Sequence, residues 1–85
     1  MFDLTGQTAI VTGAATGIGE AIARRLAAAG ATIAVADLDG AGARAVSESL
    51  GGGSFPVQID ISSSASVRKA VGEVLERSGR IRRQP

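Results

Sequence analysis

The 85 residues are 45% hydrophobic with only two phenylalanines and no tryptophan, tyrosine, cysteine or histidine, and they carry a net charge of +1. A chain this short forms at most one small domain, burying only about 60 to 65% of its unfolded surface, so its core must be built from Ala, Val, Ile and Leu without disulfides. Met1-Phe2-Asp3-Leu4 lacks the basic and long apolar regions of a secretory leader, and no run reaches membrane-spanning length, which together with the missing cysteines sets the expectation of a soluble cytoplasmic protein with no membrane partner.

The small net charge conceals an asymmetry. Five basic and eight acidic groups fall in residues 1–76, whereas Arg77, Arg80, Arg82 and Arg83 crowd the last nine residues without an acid. Four arginines with no interleaved aromatics support only weak, salt-sensitive attraction to nucleic acid, so no nucleic-acid partner is expected and the end is read as a solvated basic tail.

In chain order, Asp3 to Gly6 leads into a first strand, Gln7 to Thr12, whose near-continuous apolar run suits a strand buried on both faces of a parallel sheet. A glycine-rich turn, Val11-Thr12-Gly13-Ala14-Ala15-Thr16-Gly17-Ile18-Gly19-Glu20, opens a helix over Ile18 to Ala29. Ile18, Ile22, Leu26 and Ala29 share its inner face at helical spacing, and Glu20 pairs with Arg24 on the outer one. Gly30 caps this helix, and Ala31 to Ala36 is a second apolar strand, completing a βαβ unit.

Asp39 caps a helix over Ala41 to Leu50 that turns Val46 and Leu50 inward and pairs Arg44 with Glu48. Gly51-Gly52-Gly53 breaks it as a flexible connection, and Phe55 to Ile59 is a third strand that Pro56, lacking a ladder donor, assigns to a sheet edge. After Asp60-Ile61 the serines supply an N-cap for a third helix, with Val67, Ala70, Val71, Val74 and Leu75 as its apolar stripe. The expected fold is α/β: the N-terminal βαβαβα portion of a Rossmann-type, doubly wound parallel sheet in strand order 3-2-1. Right-handed connections put the first two helices on one face, and a third helix leading back past strand one lies on the other.

The glycine turn reads as a phosphate cradle. One glycine reverses the chain off the strand, one lets the backbone approach a diphosphate, and one lets helix and strand pack closely, while the helix start offers free N–H groups to an anion. No Lys-Ser/Thr pair follows, as a triphosphate-binding P-loop would require. Preceded by Thr12, the Gly13-x-x-x-Gly17-Ile18-Gly19 spacing resembles the Thr-Gly-x-x-x-Gly-Ile-Gly motif of the short-chain dehydrogenase/reductase family, a resemblance that extends over residues 3–81. It implies a dinucleotide cofactor bound by Gly13, Thr16, Gly17, Ile18 and Gly19.

Asp37 stands 18 residues beyond Gly19 at the end of strand two, where a carboxylate can accept hydrogen bonds from both adenosine ribose hydroxyls. That implies NAD in preference to NADP, since a 2′-phosphate would face like charge and neither Thr16 nor the neighbouring Leu38 offers a cation. Alternatively Asp37 only caps the following turn. Asp60, followed by Ile61, ends strand three and resembles the family's adenine contact, although an aspartate there can also simply begin a turn.

The family's chemistry uses a tyrosine, a lysine four residues later and a serine. This chain has no tyrosine and a single lysine, Lys69, on the third helix, so no catalytic residue is assigned; nor is a metal site. The resemblance implies the NAD-binding N-terminal part (residues 1–81) of an oxidoreductase whose parent acts on a small alcohol or carbonyl substrate, followed by a basic tail, residues 82–85, unlike the family. The alternatives are a non-catalytic dinucleotide-binding or regulatory module working through a partner, and a methyltransferase-type nucleoside-binding half-domain, against which Thr12-Gly13 counts. Strand one, without a fourth strand beside it, is an open edge that invites self-association.

Overall fold

The computed structural model describes residues 3–78; the Gly79-Arg80-Ile81 segment and the 82–85 tail lie outside them. Six elements alternate as β1 (Thr8–Thr12), α1 (Gly17–Ala28), β2 (Thr32–Asp37), α2 (Gly40–Leu50), β3 (Phe55–Gln58) and α3 (Ser64–Ser78). The strands are parallel in the order β1-β2-β3, with Val11 opposite Val35 and Ala36 opposite Val57, so β2 is central among the described strands and the 3-2-1 order holds.

β2 has no polar side chain between Ile33 and Ala36 because it is covered on both sides. Ile33 and Val35 pack with Val11, Ala23, Ala43 and Val46 under α1 and α2, whereas Ala34 and Ala36 pack with Phe55, Val57, Ile59, Ala70 and Val74 under α3. Two helices on one face and the third on the other is the doubly wound arrangement. Pro56 fits the β3 edge for a geometric reason. Ile59 donates its N–H to the Asp37 carbonyl at 3.0 Å, and alternation along the strand turns the Pro56 nitrogen to the open side, where no ladder donor is needed.

Three local expectations are corrected. α1 buries Ala23 completely, with Leu26 and Ala27 beside it, while Ile18 and Ile22 are 80% and 47% exposed. Small alanines let the helix sit close to Val11 and Ile33, and the bulkier isoleucines, like Ile10 of β1, are covered by no described element. In α3, Ala70 and Val74 are buried but Val71 is exposed, so the inner stripe is narrower than the spacing suggested. Glu20 and Arg24 pair at 2.7 Å, but Arg44 and Glu48 form no ion pair among the described residues; with the arginine on the N-terminal side, theirs is the less favourable order on a helix.

Candidate cofactor site

The loops at the carboxyl ends of the three strands meet above the sheet. The turn after β1 is held by its backbone: Ala14 donates to the Ala36 carbonyl at 3.1 Å and is fully buried. Gly13 and Gly17 both have φ of +63°, a conformation costly for any residue with a Cβ, and open space surrounds the position a side chain would take. Gly19 differs. It has ordinary helical geometry, but a Cβ on it would run into the Gly13 carbonyl, so its missing side chain is what lets α1 start hard against the turn. Thr16 is the N-cap in extended conformation and makes no side-chain cap bond, which leaves the first amides of α1 to an outside acceptor.

Asp37, at the end of β2, reaches across to this turn. Its Oδ2 accepts the Ala15 N–H at 3.0 Å and its Oδ1 accepts the Asp39 N–H at 2.9 Å. The backbone donors of Asp39 and then Ala15 hold the carboxyl below the usual carboxylate range. Asp39 itself caps α2, accepting from the Gly42 N–H at 3.0 Å.

Asp60 follows β3. Its Oδ1 accepts both the Ser62 hydroxyl at 2.6 Å and the Ser62 N–H at 3.0 Å, and these bonds lower its pKa, the side-chain one contributing most. Its own N–H donates to Ser66 Oγ at 2.9 Å, while Ser63 caps α3 by accepting from the Ser66 N–H at 3.2 Å. The turn-forming role of Asp60 is thus present in the structure, and no hydrogen bond falls on its Oδ2 among the described residues.

Gly13, Asp37, Leu38, Asp60 and Ile61 come together around one cavity of about 190 Å³, with Ile59 as a sixth lining residue. Leu38 and Ile61 are 65% and 74% exposed, two apolar side chains standing at a polar rim. Thr16, Gly17, Ile18 and Gly19 do not line that cavity; they form the turn and helix start beside it. Sequence reasoning passed over Ile59 and Ala15. The first could have been found by alternation, since Phe55, Val57 and Ile59 all face α3. Ala15 contributes a backbone N–H, for which no residue type is a signal. Lys69 lines a neighbouring cavity with Leu38, Gln58 and Asp60, not the one at Asp37.

A family model for short chain dehydrogenases matches residues 7–82. The chain belongs to the short-chain dehydrogenase/reductase family. It is 38% identical over 78 residues to a sorbitol dehydrogenase of Cereibacter sphaeroides, covering 92% of this chain and 30% of the relative. It is 45% identical over 83 residues to a D-threitol dehydrogenase of Mycolicibacterium smegmatis, covering 94% and 32%. Among solved structures, a 3-ketoacyl-(acyl-carrier-protein) reductase of Brucella melitensis complexed with NADH superposes with a TM-score of 0.87 at 39% identity, over 93% of this chain and 33% of the reductase. The chain therefore spans about a third of the length of these relatives and corresponds to a short-chain dehydrogenase/reductase Rossmann portion, for which a nicotinamide dinucleotide is the family's cofactor. Among the described residues, no helix is long and apolar enough to cross a membrane, and no group of three or more Asp or Glu is placed to hold a metal ion.

Proposed function

We propose that residues 1–81 bind the adenosine diphosphate half of NAD, as the N-terminal part of an oxidoreductase acting on an alcohol or carbonyl substrate. The observation that carries this is the convergence of Gly13, Asp37, Leu38, Asp60 and Ile61 on one cavity beside an uncapped helix start. The residues present fit such a group. The diphosphate takes the turn at Gly13, Thr16, Gly17, Ile18 and Gly19, where no Cβ obstructs Gly13 or Gly17 and the Thr16 side chain caps none of the first amides of α1.

Asp37 takes the ribose. A carboxylate has about four lone-pair sites, and the Ala15 and Asp39 amides use two of them, leaving two for the ribose hydroxyls. A ribose 2′-phosphate would meet a carboxylate that its donors keep ionised, which favours NAD over NADP. Leu38 and Ile61 flank the adenine, and Asp60 accepts from its exocyclic amine.

When bound, the nicotinamide supplies hydride transfer. The 85 residues hold no tyrosine, histidine or cysteine to move the accompanying proton, so this chain binds and orients the cofactor without completing a reaction. A soluble, cytoplasmic setting accords with the composition. Titration of the ¹⁵N-labelled chain with ADP-ribose tests the site: the expected amide shifts fall in residues 13–19, at Asp37 and Leu38, and at Asp60 and Ile61. Shifts confined to the β3 edge or the outer faces of the helices would refute it.

A further inference from the structure

The geometry points to a second role for Asp37: it positions the glycine-rich turn, as a clamp that sets the diphosphate cradle whether or not a ribose is present. This rests on the assignment of the cradle and of Asp37 as its ribose acceptor. The bond from the Ala15 N–H to Asp37 Oδ2, 3.0 Å long, links residues 22 apart in the chain and ties the middle of the turn to the end of the central described strand. Around it the turn is fixed from two further sides. Ala14 donates to the Ala36 carbonyl at 3.1 Å. Ala15, 8% exposed, packs against α2 at Gly42, where an added Cβ would lie 3.1 Å from the Ala15 Cβ.

The carboxylate is oriented in turn by the Asp39 N–H on Oδ1, and Asp39 is held as the cap of α2 through Gly42. Backbone amides thus fix the carboxylate, and the carboxylate fixes Ala15, one residue before the Thr16 N-cap. Gly13 and Gly17 supply no side chain to hold the turn themselves and sit in conformations that only glycine adopts freely, so the loop depends on outside ties for its shape. A ribose acceptor alone needs no bond to Ala15; a clamp does.

Two consequences separate a clamp from a simple ribose acceptor. Asparagine at position 37 keeps one acceptor oxygen, enough for the Ala15 or the Asp39 N–H but not for both, since its NH2 then faces the other amide, whereas alanine accepts from neither. A ligand without ribose hydroxyls, 2′,3′-dideoxyadenosine 5′-diphosphate, reports on the cradle without the diol.

The test uses the 85-residue chain, Asp37→Asn and Asp37→Ala, with amide hydrogen exchange at Ala15 and binding of ADP and its dideoxy analogue. The clamp predicts a protected Ala15 amide in the unmodified chain, faster exchange in Asp37→Ala with Asp37→Asn at or between the two, and a loss of dideoxy-nucleotide binding of about three- to tenfold in Asp37→Ala. Unchanged Ala15 exchange in Asp37→Ala, or dideoxy binding insensitive to that change while ADP binding falls, would overturn the clamp and leave the ribose assignment standing. Equal losses of ADP and dideoxy-nucleotide binding in Asp37→Ala would instead remove the ribose assignment and leave the clamp. Exchange at Ala15 needs no ligand, so it decides for or against the clamp even if the nucleotides bind weakly.

Discussion

Gly19 lies so close beneath Gly13 that a Cβ on Gly19 would run into the Gly13 carbonyl, although Gly19 itself has unstrained helical geometry. The contact is backbone against backbone and cannot be relieved by a rotamer change. Gly19→Ala should therefore push α1 away from the turn, costing about 1–3 kcal/mol of stability as other overpacked sites do, and should weaken ADP binding. Urea unfolding and a nucleotide titration check both; an unchanged midpoint would contradict the close approach.

With Asp37 as the proposed ribose acceptor, cofactor choice should depend on its charge. Like unit charges about 4 Å apart repel by about 1 to 4 kcal/mol, and since Asp37 is partly exposed the lower end applies, corresponding to about a fivefold preference for NAD over NADP. Asp37→Ala should abolish that preference. Competition binding of the two dinucleotides measures it, and a variant that keeps the full preference would remove Asp37 from this role.

Ser62 fixes the rotamer of Asp60 through its hydroxyl, 2.6 Å from Oδ1. Ser62→Ala should lower the discrimination between NAD and nicotinamide hypoxanthine dinucleotide, which lacks the adenine amine, by about two- to tenfold, and Ser62→Thr should restore it. Equal discrimination in all three chains would show that Asp60 needs no such support.

Asp37 and Asp60 both titrate below the ordinary aspartate range because they accept hydrogen bonds in the folded state. A depressed folded-state pKa contributes stability above the unfolded value, about 3.9, and that contribution is lost as pH falls through the lower folded value. Stability and binding of NAD, whose diphosphate diester does not ionise near neutrality, should stay level through neutral pH and decline only below about pH 4. A midpoint near pH 6 to 7 in either quantity would contradict the assignment, since the chain has no histidine to produce one.

β1 pairs only with β2 among the described strands, and Ile10 beside its free edge is 42% exposed. Open edges with apolar neighbours pair with other chains, so sedimentation equilibrium should show mass rising with concentration, and Ile10→Lys should reduce it. A monomer at every concentration would contradict this.

The sheet order was legible because Pro56 marks an edge and because β1 and β2 are apolar without alternation. The faces of the helices were less so. Ile18 and Ile22 have core spacing in α1, yet Ala23 is the residue that reaches the sheet, because spacing defines a stripe but not how closely the helix approaches. The site followed the same division. Gly13, Asp37 and Asp60 could be read from residue type and position, whereas the tie from the Ala15 amide to Asp37 could not, being a backbone donor 22 residues away.

In the proposed function the turn at Gly13 to Gly19 and the carboxylates of Asp37 and Asp60 hold the adenosine diphosphate half of NAD. Calorimetric titration of the 85-residue chain with NAD, NADP and S-adenosylmethionine decides this. Saturable binding of NAD, weaker binding of NADP and none of S-adenosylmethionine is the expected result; S-adenosylmethionine binding tighter than NAD, or NAD and NADP binding equally, would contradict it.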